Sequence, residues 1–192
     1  MQFNYKVTGL NSLQFHQVIR YLSVLLIGIL LSKSGIGLND IGIYESFIFL
    51  SGLLSFFWIS GNIQGLLSNY ESHKSGIIYN VLIVIVLYSL LISILLILLL
   101  KNSSLFGNID LSTKSIILLG LYILFNNPGY LIEYIYFFNK SYRRVINYSL
   151  IIHFLQVLSI VIPIFYFKDI EYCFYGLFFV AFIKVLWLVL LL

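Results

Sequence analysis

Four charged side chains interrupt the long apolar runs of this chain: Arg20, Glu45, Glu133 and Lys184. An ionised group costs about 2.5–3.5 kcal/mol at the centre of a membrane-spanning helix, so it persists there by pairing, by bordering water or by holding a ligand. Polar neighbours accompany them: Asn62 and Gln64 in one run, His153 and Gln156 in another. A guanidinium grips a phosphate or carboxylate through two parallel hydrogen bonds, and an ammonium acts as a point charge. The chemistry on offer is recognition of a charged ligand in a dry setting, with Arg20 and Glu133 the expected ion pair and Glu133 the one plausible coupling acid. A structural reading stands beside it, because Arg20 and Glu133 are close enough to an interface to snorkel. A single histidine in a span is, by the same token, often a packing residue. Glu45 reads as interfacial.

Catalysis is not expected. There is no nucleotide-cradling G-x-x-x-x-G-K-[ST], no H-E-x-x-H, no C-x-x-C and no G-x-S-x-G. His16, His73 and His153 fall on separate elements without metal-ligand spacing, so neither a metal nor another cofactor is implied. Cys173 has no internal partner for a disulfide and reads as a small apolar filler. The basic excess, 11 Lys and Arg against 7 acids, is scattered singly except for Lys140, Arg143 and Arg144, which argues against a nucleic-acid partner.

The elements that position these groups follow from composition. The 192 residues are 61% hydrophobic and 9% charged, whereas a soluble domain is about 45–50% apolar and about 25% charged. Both a soluble domain and a disordered chain are excluded. A bilayer core about 30 Å thick takes about 20 helical residues, and six stretches meet that length: 16–32, 43–67, 77–100, 115–138, 146–167 and 173–192. They are twice the length of a β-barrel span and lack its alternation. The fold class is therefore all-α, a polytopic six-helix transmembrane bundle whose main partner is the lipid bilayer. Short polar connections predict that successive helices are antiparallel neighbours. The polar arm before the first span carries Phe3, Tyr5, Val7 and Leu10 and suits a surface-lying segment, weakened at Gly9.

Orientation rests on Lys140, Arg143 and Arg144, whose loop places the N-terminus in the cytoplasm. At 1.5 Å per residue, Arg20 and Glu133 then lie roughly 6–7 Å inside the cytoplasmic ends of their helices. His153 and Gln156 lie roughly 10–15 Å up the fifth, and Asn62 and Gln64 at the cytoplasmic end of the second. All six share the inner half of the bilayer and predict a polar vestibule opening toward the cytoplasm. Lys184 is nearer mid-bilayer. In the fourth span Asn126, Asn127, Pro128 and Gly129 predict a kink or break, since Pro128 lacks a backbone donor. Asn127, Pro128 and Gly129 become hinge candidates, with a static packed kink as the alternative. Pro163 reads as a terminus feature. The sixth run stops at Leu192 without a polar flank, which predicts a chain cut from something larger.

The run Gly37-Leu38 to Gly42-Ile43-Tyr44, followed by a polar-studded helix and Gly61-Asn62-Ile63-Gln64-Gly65, resembles the opening of a known family. It is similar to the polysaccharide exporters and lipid-linked oligosaccharide flippases of the multidrug/oligosaccharidyl-lipid/polysaccharide superfamily. The motif covers about the first 75 residues, and span count and spacing carry the likeness further. The resemblance implies two pseudo-symmetric six-helix lobes around a cavity, of which this chain would be the N-terminal one, its partner being the missing C-terminal lobe. It implies alternating-access transport of a lipid-linked oligosaccharide or polysaccharide precursor across the inner membrane. It also implies that cavity cations meet the carrier's pyrophosphate, a part for Arg20 with Lys184 as second candidate. The alternatives are a cation-coupled multidrug exporter of the same superfamily and a non-transporting scaffold subunit.

Overall fold

A computed structural model describes residues 8–70, 76–102 and 112–192. The arm residues Phe3, Tyr5 and Val7, and the loop residues Glu71, His73 and Lys74, lie outside them. Among these residues seven α-helices form: α1 (Gly9–Lys33), α2 (Leu38–Asn69), α3 (Ile77–Asn102), α4 (Thr113–Asn126), α5 (Leu131–Phe138), α6 (Tyr142–Phe167) and α7 (Glu171–Leu191). A single 3-10 turn, Pro128–Tyr130, joins α4 to α5, and the two make one interrupted span. Among the described residues there is no strand, and six helical segments are long and apolar enough to cross a membrane. The chain is a multi-pass membrane protein. Its outward faces agree: Leu25, Phe57, Leu87, Phe154 and Leu190 are exposed, a surface suited to acyl chains.

Three helices begin earlier than the hydrophobic runs suggest. Helix α1 starts at Gly9, because the Thr8 hydroxyl accepts from the Asn11 N–H (3.3 Å) and caps the first turn. Gly9 thus opens the helix rather than weakening an arm, and a Cβ there would crowd the Phe137 and Tyr142 rings. Helix α2 starts at Leu38 with Asp40 in its first turn, where a carboxylate suits the helix dipole. Helix α6 starts at Tyr142, so Arg143 and Arg144 ride on its exposed first turn rather than in a loop. Arg20 consequently sits near the middle of α1, not close to its end, and Glu45 is a helical residue of α2.

Chain neighbours are not always packing neighbours. Helix α1 packs mainly on α6, α6 on α7, α7 on α4, α4 on α3 and α3 on α2, whereas α1 and α2 touch little. The result is a horseshoe whose two ends are the first two helices. Small residues set the close approaches. At Gly120 of α4 the Ser93 hydroxyl of α3 donates to the backbone carbonyl (2.7 Å), and the side chain of Ile97 lies over the missing Cβ. Cys173 is buried against α6, its Sγ 3.9 Å from the Ile160 carbonyl, as a filler should be.

The core divides in two. One apolar cluster gathers Ile27, Phe47, Leu119, Ile123, Ile160 and Phe174, with the Phe47 and Phe174 rings stacked 4.3 Å apart. The other gathers Leu66, Leu131, Ile135, Val145, Ile152 and Leu188. Ile123 belongs to the first and Leu131 to the second, so the break at 126–130 falls between them. That middle layer is where the polar residues collect.

Candidate functional site

The gap between the ends of the horseshoe is a cavity of about 490 Å³, walled by α1, α2, the α4–α5 break, α6 and α7. From α1 it takes His16, Arg20, Val24 and Gly28, a stripe at four-residue spacing along one helix face. From α2 it takes Ile48, Ser51, Gly52 and Ser55. The Ser51 hydroxyl is spent on its own helix, donating to the Ile48 carbonyl at 2.8 Å, so it adds little polarity to the wall. A second hollow of about 440 Å³ adjoins the first on the side where α1 begins, walled by Gln17, Ile63, Gln64 and Tyr134 among others. Arg20, Gly52, Ser55, Tyr130 and Glu133 border both, so Arg20 and Glu133 stand at the junction.

The break builds one side of the site. Pro128 cannot donate to the carbonyl one turn earlier, and the chain tightens into a 3-10 turn, with the Tyr130 N–H donating to the Asn127 carbonyl (3.2 Å). The side chains of the two asparagines part. Asn127 donates from Nδ2 to Ser89 Oγ on α3 (3.2 Å) and is buried, anchoring the break. Asn126 turns its Oδ1 to the cavity, where it accepts from Lys184 Nζ at 2.8 Å. Gly129 has a separate task. A Cβ there would come within 2.9 Å of Lys184 Cβ, so the bare glycine lets the lysine stem cross the break. The ammonium then lies 5.9 Å from the Tyr130 ring centroid. All three hinge candidates are buried and each makes a packing or hydrogen-bonding contact.

The expected Arg20–Glu133 ion pair does not form. Glu133 Oε2 pairs instead with His16 Nε2, and both residues are buried, at 3% and 4% exposure. The reason is the helix order: α5 and α6 bring the α1 face that bears His16 against the acid. Arg20, one turn further on, lies over the Tyr21 ring at 5.2 Å, with no carboxylate of the described residues within ion-pair distance. Behind His16, His153 of α6 sits with ring centroids 5.3 Å apart, and its Nδ1 faces Ser23 Oγ (3.5 Å) and Gln156 Oε1 (3.4 Å).

Of the residues singled out from sequence, Arg20, Glu133, His153, Gln156 and Lys184 converge on the main cavity, and Gln64 borders the adjoining hollow. Asn62 does not join them. Its Nδ2 donates to the Trp58 carbonyl on its own helix (2.7 Å), and it lines a separate shallow depression with Gly65 and Asn80. Sequence reasoning missed His16, Asn126, Tyr130 and Glu45 as lining residues. The signal for His16 was its position four residues before Arg20, one turn away on the same face. Among the described residues, no group of three or more His, Cys, Asp or Glu stands ready to hold a metal ion.

No family model, no curated protein and no solved structure matches the chain. The site's own geometry therefore carries the functional argument.

Two glycines make the openness of the cavity testable. A Cβ at Gly28 or at Gly52 would meet nothing within 4 Å. Gly28→Ala is expected to raise stability by about 1 kcal/mol through helix propensity alone. Gly28→Leu and Gly52→Leu are expected to fill the cavity and block ligand binding while leaving thermal stability at or above wild type. Thermal unfolding in detergent beside a binding assay checks both; a marked loss of stability in either leucine variant shows the space to be closed.

Proposed function

We propose that the chain is one lobe of a membrane transporter that moves lipid-linked oligosaccharide or polysaccharide precursors across the cytoplasmic membrane by alternating access. One observation carries the reading: Arg20 and Lys184 share a membrane-embedded cavity and, among the described residues, neither is within ion-pair distance of a carboxylate, while the buried acid, Glu133, is already engaged by His16. Two unneutralised cations in a low dielectric call for an anionic ligand. A phosphate or pyrophosphate headgroup meets that demand, Arg20 offering a planar fork and Lys184 a point charge. The lipid tail remains in the bilayer through the gap between α1 and α2. The broken α4–α5 span fits the same reading, because interrupted helices at mid-membrane recur at transporter sites. A cation-coupled drug exporter is less well served, since its acid would have to leave His16.

Binding to the full chain in nanodiscs tests this, using a prenyl–sugar diester of pyrophosphate as probe. A charge-assisted hydrogen bond contributes about 1.5–3 kcal/mol, so Arg20→Gln and Lys184→Met are each expected to weaken binding by about tenfold or more. In cells, the same changes are expected to remove surface polysaccharide at normal protein level. Unchanged binding in both variants overturns the reading. Loss of cationic-drug efflux on Glu133→Gln, with the cations indifferent, favours the exporter.

A further inference from the structure

Among the described residues three buried polar side-chain atoms lack a hydrogen-bond partner: His16 Nδ1 on α1, and Ser149 Oγ and His153 Nε2 on α6, two helices that pack together. Orphaned polar atoms are rare in folded proteins, and each calls for an explanation. For His153 the hydrogen-bond inventory decides what kind of atom is orphaned. The Ser23 hydroxyl donates to the Arg20 carbonyl at 2.7 Å, so towards His153 it is an acceptor. Gln156 presents its Oε1, also an acceptor. In the tautomer with the hydrogen on Nδ1 both neighbours accept from it, and Nε2 is then a bare lone pair. It is 97% buried with its ring, on the wall of a cavity, and no donor reaches it.

We infer that His153, backed by the His16–Glu133 pair, is a proton-binding site that fills together with the anion held by Arg20 and Lys184. The inference rests on the anion-transport reading above. The charged and titratable groups that line the cavity with His153 are His16, Arg20 and Tyr21 from α1, Tyr44 and Glu45 from α2, Tyr122 from α4, Tyr130 from the break, Glu133 from α5, Tyr148 from its own helix and Lys184 from α7. Glu133 is occupied by His16 and Glu45 is exposed, so a proton on His153 adds to the buried positive charge of Arg20 and Lys184 in an empty cavity. A bound anion reverses that balance, because it brings negative charge into the same low-dielectric space. Proton and anion therefore favour one another's binding, and by linkage the effect is mutual. The sign is opposite to that of an exchanger in which a proton competes with a cationic cargo. The proton here travels with the substrate.

The probe is again a prenyl–sugar diester of pyrophosphate, which has no group titrating near neutrality and so holds its charge throughout. Wild-type chain in nanodiscs is expected to bind it about tenfold more tightly at about pH 5.5 than at about pH 7.5, a size usual for coupling between sites. In weakly buffered solution, binding is expected to take up close to one proton per probe bound. His153→Asn keeps a donor at the Nδ1 position and removes the Nε2 lone pair. It is expected to bind the probe at a level independent of pH and without proton uptake. Nitrogen NMR of ring-labelled histidine in the wild-type chain gives a second readout that needs no variant: the bare-nitrogen signal of His153 should disappear on adding probe.

Tight binding without proton uptake, or uptake that persists in His153→Asn, overturns the inference and leaves the anion reading intact. An unchanged histidine spectrum on saturation does the same. Absence of binding at either pH overturns both.

Discussion

Gly176→Ala is expected to destabilise the protein by about 2–3 kcal/mol, although alanine is the better helix former by about 1 kcal/mol. The cause lies across the interface in α6. Pro163 has no N–H, so the Ser159 carbonyl one turn earlier loses its ordinary helical donor. Helix α7 uses that exposed carbonyl as a docking point. Gly176 packs directly on it, and the Ser159 hydroxyl donates to the Gly176 carbonyl at 3.3 Å. A Cβ at Gly176 would overlap Ser159 O and stand 2.7 Å from Ser159 C. The obstacle is backbone beside a proline and cannot swing aside as a side chain would. The helices must separate, and the cluster of Ile160, Cys173, Phe174 and Leu177 opens with them. Thermal unfolding in detergent checks this, with Gly176→Leu expected to abolish monodisperse protein. A Gly176→Ala variant as stable as wild type would show that α7 does not depend on this contact. Pro163 thus lies inside α6 and frees the carbonyl on which Gly176 packs.

This pair also shows where the sequence stops being readable. Six spans are legible because each is a long apolar run, and the break at Pro128 is legible because proline's missing donor acts locally. Which helices touch is another matter. Short connections argue for neighbours in order, yet α1 lies against α6 and barely meets α2. Nothing in the run 9–33 encodes that choice except the face it presents, and in a membrane that face is marked by small and polar residues rather than by hydrophobicity. His16 and Glu133 illustrate the consequence. Each is recognisable alone as a costly residue, but their pairing depends on α1 lying beside α5 and α6, a long-range fact. The starts of α1 and α2 were set too late for a simpler reason. Capping by Thr8 and the early Asp40 extend α1 and α2 beyond their apolar runs, and a hydropathy boundary does not register a cap.

The His16–Glu133 pair is expected to show a strongly non-additive mutant cycle with an asymmetry that reports on Arg20. Removing one partner of a buried ion pair costs about 3–5 kcal/mol, because the other is left uncompensated. Glu133→Leu meets that condition, since it strips the buried acid from a cavity that still holds Arg20 and Lys184. Its cost is expected at the upper end of the range. His16→Leu strands a carboxylate, but Arg20 lies one turn along the same face of α1 and borders the same junction. Re-pairing with Arg20 limits that loss to about 1–3 kcal/mol. The double variant is expected to cost less than the sum of the two, with a coupling of about 1–3 kcal/mol. Denaturant or thermal unfolding of the four proteins measures the cycle. Equal single costs mean that Arg20 cannot reach the acid, and strict additivity means that His16 and Glu133 do not interact. The asymmetry matters for function as well as stability. If Glu133 can exchange His16 for Arg20, then the guanidinium is free for an anion in one arrangement and neutralised in the other, and a cavity with those two states can bind its ligand and let it go.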